Sequence, residues 1–91
     1  MINYIIPVKG ELKAVYPKNG SKFSLKELQE FVGGFIELVT VPGEKFVVCN
    51  EYGKIENLPV NKNATEAFKS SLMPGDTLNG DIAVISKEYI D

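Results

Sequence analysis

Ser24 and Glu27 stand three residues apart at the head of an apolar stripe, and that spacing fixes one element of the fold before any other. It is the spacing of a capping box, in which each residue satisfies the other's exposed backbone donor. Phe23 ahead of the cap and Leu28 inside the helix fit a hydrophobic staple. Leu25, Leu28, Phe31 and Val32 then recur on one helical face. Gly33-Gly34 ends the run, because glycine takes the left-handed conformation without a Cβ clash. The chain therefore holds a short amphipathic helix in its first third.

Around that helix the apolar residues follow a period of two, the mark of strands. Ile2 to Val8 alternates, with Ile2, Tyr4, Ile6 and Val8 on one face and Asn3 and Ile5 on the other. Lys9-Gly10 is a turn, and Leu12, Ala14 and Tyr16 repeat the alternation, which predicts a first hairpin. Phe35 to Val41, a Pro42-Gly43 turn and Lys45 to Asn50 predict a second. Phe46-Val-Val-Cys49 is apolar at every position, the pattern of a central strand covered on both sides. Asn50 to Gly53 reads as a turn with Gly53 at positive φ, and Lys54 to Leu58 as one more short strand. Asn63 and Glu66 have cap-like spacing for a second helix carrying Ala64, Ala67, Phe68, Ser71 and Leu72, ended by Pro74-Gly75. Asp81 to Ser86 is a last strand, and Lys87 to Asp91 a fraying tail. The order ββ-α-ββ(β)-α-β describes a single α+β domain over residues 1–91. Its expected packing is a mostly antiparallel sheet with both short helices on one side. A small, partly closed barrel is the alternative.

The residue inventory narrows the chemistry. The chain has no His, no Arg and no Trp, and its ten basic residues are all Lys. Without His there is no side chain that ordinarily titrates near neutrality, which removes Ser-His-Asp and Cys-His catalysis. The commonest zinc ligand is missing too, and the single Cys49 cannot build a thiolate site. Without Arg there is no bidentate grip on phosphate or guanine. The net charge is −2 and the Lys residues are scattered, so direct nucleic-acid binding is disfavoured. No cofactor is implied. A lone cysteine points to a reduced, cytoplasmic setting. No apolar run is long enough to span a membrane, and the first seven residues lack the basic region of a signal peptide.

Three stretches carry a resemblance. They are Gly33-Gly-Phe-Ile-Glu37; Asn50-Glu-Tyr-Gly-Lys54 through Leu58-Pro-Val-Asn61 to Ala64-Thr65; and Gly80-Asp81 before an apolar strand. In order and spacing they resemble a bacterial and phage family, domain of unknown function 3846. The resemblance implies no activity. It does imply the setting of an accessory protein of a phage or other mobile element, and with it host interaction or counter-defence.

Four places could carry function. Glu37 shares a strand face with Phe35, Val39 and Val41, where a carboxylate either meets a ligand or opens to solvent. In the turn Asn50-Glu51-Tyr52-Gly53-Lys54, geometry explains Asn50 and Gly53 but leaves Glu51 and Tyr52 free to face a partner. Asn61, Lys62, Asn63 and Thr65 surround a helix start, where free amides and an ammonium would favour an anion. Asp81, if it met Glu37 or Glu51, would complete a carboxylate pair. Cys49 reads as inert core. The leading expectation is a binding module that engages a host protein or sequesters a small anionic ligand, as a homo-oligomer. The alternatives are a small carboxylate-dependent hydrolase and a minimal domain that dimerises through a sheet edge.

Overall fold

Ile82–Ser86 is buried along its whole length because it is the middle strand of a five-stranded antiparallel sheet. The computed structural model describes residues 2–90. Its strands are β1 (Asn3–Ile6), β2 (Lys13–Val15), β3 (Ile36–Thr40), β4 (Lys45–Asn50) and β5 (Ile82–Ser86). They lie in the order β2-β1-β5-β4-β3. The two hairpins form, although in β2 it is Val15 that is buried while Leu12, Ala14 and Tyr16 are exposed. The last strand enters between them: Val84 faces Tyr4 of β1 on one side and Val47 of β4 on the other. The sheet is open, so the barrel alternative falls. Helix α1 (Leu25–Val32) joins the two edges, and α2 (Lys62–Ala67) lies in the long connection from β4 to β5.

The helices lie on opposite faces of the sheet, which corrects the one-sided packing expected above. Val48, Ala83 and Ile85 pack with Leu28 and Val32 of α1. Val47, Cys49, Ile82 and Val84 pack with Ala64 and Phe68 around α2. The physical reason is local. β4 and β5 are apolar at consecutive positions, so both of their faces need cover. Short helices suffice because they need to shield little more than these two strands, with Leu72 and Leu78 extending one layer and Tyr89 and Ile90 the other.

Helix α1 matches its cap and stop signals, while Leu25 of the expected apolar stripe is exposed. The Ser24 hydroxyl accepts from the Glu27 amide, the Glu27 carboxylate accepts from the Ser24 amide, and Gly33 closes the helix at φ 78°. Replacing Ser24 with Ala is expected to destabilise the fold by about 1 kcal/mol in urea unfolding. The same Glu27 carboxylate also accepts from the Lys18 amide at 3.0 Å, tying the approach to the helix. The amides of Ser24 and then Lys18 hold the Glu27 carboxyl below its ordinary value. A depressed folded value stabilises the protein above the unfolded pKa of about 4.3, and the gain is lost as pH falls through the folded value. Thermal melts over an acid series should therefore fall more steeply for wild type than for Glu27→Gln. Parallel curves would remove Glu27 from the acid response.

Other local expectations are corrected. Lys54 to Leu58 is a series of turns and not a strand, held by Glu56 N to Tyr52 O and Leu58 N to Gly53 O, both 2.8 Å. The left-handed residue there is Asn57, at φ 57°, and not Gly53. Gly53 is small for a different reason: a Cβ would lie 3.3 Å from the Asn79 carbonyl oxygen and 3.4 Å from that of Asn50. The cap of α2 is Asn61, two residues before the expected Asn63. Tyr4 and Ile6 do share a face, but Ile2 is exposed, while Asn3 is buried and accepts from the Ser86 amide at 2.7 Å. The tail does not fray through residue 90. Lys87–Tyr89 forms a 3-10 turn, and Phe23 N donates to Tyr89 O at 2.8 Å. The expectation for Asp91 lies outside the described residues.

Candidate functional site

Where β3 begins and β4 ends, on the α2 face of the sheet, a cleft of about 180 Å³ opens between the strands and the connection that leads to β5. Register builds it. Glu37 pairs with Cys49, so both side chains reach the same face, and Asn50 and Glu51 follow directly as the chain leaves β4. Lys54 and Ile55 come from the turns after Glu51, and Asp76 from the far side of α2. Asn50 is buried and fixes this corner. Its Nδ2 donates to the Val32 carbonyl at 3.2 Å, and its Oδ1 accepts from the Tyr52 amide at 2.8 Å. One side chain thus joins the end of α1 to the end of β4. Gly34 permits the contact, since a Cβ there would lie 2.8 Å from Asn50 Nδ2.

The cleft is acidic. Glu37, Glu51 and Asp76 set three carboxylates against the single ammonium of Lys54. Lys54 pairs with Asp76, and that hydrogen bond, followed by the Thr77 amide, holds the Asp76 carboxyl below its ordinary value. Cys49 lines the wall as a buried thiol whose Sγ donates to the Glu37 carbonyl at 3.7 Å. Burial first, and the Glu37 charge second, push it up to about 11. Cys49 is therefore a protonated wall group at neutral pH and no nucleophile. Among the described residues no group of three His, Cys, Asp or Glu side chains is placed to hold a metal.

Beside the cleft lies a shallower depression of about 340 Å³, lined by Gln29, Phe35, Tyr52 and Glu56 and sharing Asn50. The Phe35 and Tyr52 rings meet edge-on, with centroids 6.3 Å apart and planes at 81°. Both are exposed, Phe35 at 64% and Tyr52 at 43%, and Ile55 nearby at 78%. Glu37, Asn50, Glu51 and Tyr52 thus converge on one end of the sheet.

The remaining candidates do not join them. Asn61 is fully buried and structural. Its Nδ2 donates to Ile6 O at 2.8 Å and Gly80 O at 3.0 Å, and its Oδ1 accepts from the Ala64 amide at 3.0 Å. The Thr65 hydroxyl accepts from the Leu78 amide at 2.9 Å, clasping α2 to the segment before β5. Lys62 and Asn63 are exposed on the first turn of a six-residue helix whose cap Asn61 already fills. The expected anion site is therefore not assembled there. Asp81 accepts from the Val8 amide at 2.9 Å and lines a separate depression with Leu58 and Gly33, so it forms no pair with Glu37 or Glu51.

Sequence reasoning missed Asp76, Phe35 and Ile55. Asp76 follows Pro74-Gly75 and reads as part of a helix stop. Phe35 and Ile55 read as ordinary strand residues, and a bulky apolar residue inside a turn is the signal that could have marked Ile55.

Residues 2–90 match the family described as Domain of unknown function (DUF3846). No curated protein and no solved structure matches the chain. Among the described residues no helix is long and apolar enough to cross a membrane.

Proposed function

The chain belongs to the DUF3846 family, and from that premise we propose a non-catalytic binding module that engages a protein partner through the end of the sheet where β3 begins. One observation carries the reading: Phe35 and Tyr52 stand exposed and edge-on in the depression beside the acidic cleft, and Ile55 stands exposed on the cleft itself. Exposed aromatic groups with a polar surround are the usual make-up of a protein-binding surface. Of the two ligand classes expected from sequence, a small anion fits this cleft poorly. It would have to displace water from three carboxylates, with the ammonium of Lys54 already committed to Asp76. Hydrolysis by a carboxylate pair that includes Asp81 is the weaker reading as well, since Asp81 lies in a separate depression. In the mobile-element setting that the family resemblance implies, the partner would be a host protein.

The test compares wild type with a Phe35→Ser/Ile55→Ser double variant, immobilised at equal density and exposed to host lysate. Both side chains are largely solvated, so the variant should keep its stability to about 0.5 kcal/mol. The expected result is a discrete protein held by wild type, with retention reduced about tenfold or more in the variant. Equal retention by both, or co-purification of a small anion in place of a protein, would overturn the reading.

A further inference from the structure

The apolar patch at Phe35 runs directly into the edge strand β3, and the two edges of the sheet are not alike. β2 is three residues long and carries Lys13, the usual guard against unwanted strand pairing. β3 is five residues long, Ile36-Glu-Leu-Val-Thr40, with no Lys, Pro or Gly inside it. Among the described residues its strand pairing is with β4. The Glu51 amide donates to Phe35 O at 2.8 Å, and the register continues through Glu37 with Cys49 and Val39 with Val47. In an antiparallel ladder such pairs alternate, so Phe35, Glu37 and Val39 turn their backbone groups toward β4. Ile36, Leu38 and Thr40 turn their N–H and C=O outward. Leu38 is 41% exposed on one face of this edge, and Glu37 is exposed on the other, beside the acidic cleft.

Resting on the binding-module reading, we propose that β3 accepts an extended basic segment of the partner as a sixth strand. Backbone hydrogen bonds to Ile36, Leu38 and Thr40 would supply the pairing, and alternate side chains the selectivity. A lysine or arginine directly across from Glu37 lies within cross-strand reach of it, and a second, two residues along on the same face, extends toward Glu51. Charge decides against a second copy of this chain. Antiparallel self-pairing through β3 would bring two Glu37 side chains and two acidic clefts together in a protein already at −2.

The probes are peptides of about eight residues with alternating Lys and Val, alternating Glu and Val, and the Lys peptide N-methylated on its β3-facing amides. Amide exchange and chemical shifts of the labelled protein are followed by NMR. The expected result is new protection at Ile36, Leu38 and Thr40 with the Lys peptide, and none with the Glu peptide. Affinity should fall about tenfold or more in Glu37→Lys, and likewise on N-methylation. Leu38→Pro removes an outward amide and should give the same loss. Should that variant misfold, the N-methylated peptide asks the same question of the intact protein. Equal binding of the methylated or acidic peptide, absence of protection along β3, or a concentration-dependent homodimer through that edge would each overturn strand addition. Capture that is sensitive to Phe35→Ser would still stand in those cases, so the two readings fail separately.

Discussion

Asn61→Ala is expected to destabilise the protein by about 3–5 kcal/mol, a large share of the roughly 5–10 kcal/mol available to a domain of this size. The carboxamide is fully buried, and it meets three backbone groups that no solvent reaches through it: Ile6 O, Gly80 O and Ala64 N. Each orphaned group costs about 1–3 kcal/mol, partly relieved where the backbone relaxes. Urea unfolding measures the loss as a lower midpoint at unchanged slope. Asn61→Asp makes the test chemical. It keeps the acceptor for Ala64 but sets a carboxylate oxygen against two carbonyl oxygens, which raises the folded pKa of the new group. A raised acid destabilises most above its folded value. The variant should therefore regain stability relative to wild type as pH falls from about 7 toward 4, where the protonated acid can donate to one carbonyl. A loss below about 1 kcal/mol in Asn61→Ala would show that these groups find other partners, and would return Asn61 to the list of ligand-binding candidates.

The position of Asn61 also shows where the sequence stops being legible. Asn61 and Asn63 are both competent helix caps, and local spacing to Glu66 favours Asn63. The choice falls to Asn61 because its amide reaches Ile6, 55 residues earlier, and Gly80, 19 residues later. No local pattern holds that information. Helix α1 was legible because its cap, staple and stop lie within a dozen residues. The placement of β5 between the hairpins was not, because strand order is settled by long-range pairing. Likewise Gly53 and Asn57 are both residue types that tolerate positive φ; the fold gives it to Asn57 and uses Gly53 for a close approach to the Asn79 backbone. The candidate site divides the same way. Glu37, Asn50, Glu51 and Tyr52 converge because one hairpin register places them together, and the hairpin was readable. Asp76 arrives from a turn 22 residues beyond Lys54 and met it only on folding.

Ile82→Ala and Ile85→Ala are each expected to destabilise by about 2–5 kcal/mol, and the pair tests the three-layer arrangement on which the site depends. Both side chains are fully buried, yet they point to opposite faces of β5, Ile82 toward the α2 layer and Ile85 toward α1. If both helices covered one face, one of the two substitutions would fall on a solvated surface and change stability by about 0.5 kcal/mol or less. The milder Ile→Val changes sharpen the test, because each should cost about 0.5–1.5 kcal/mol and leave the fold intact. Side chains in separate clusters, with no shared partner, should be additive to about 0.5 kcal/mol in the double variant. Strong coupling would instead mean that the two layers are one core, folded around a sheet edge. The packed apolar wall of the acidic cleft, Val39, Cys49, Leu72 and Leu78, belongs to the α2 layer. Ile82→Val should therefore weaken partner binding measurably more than Ile85→Val at matched loss of stability, a difference that titration calorimetry on the two folded variants reads directly.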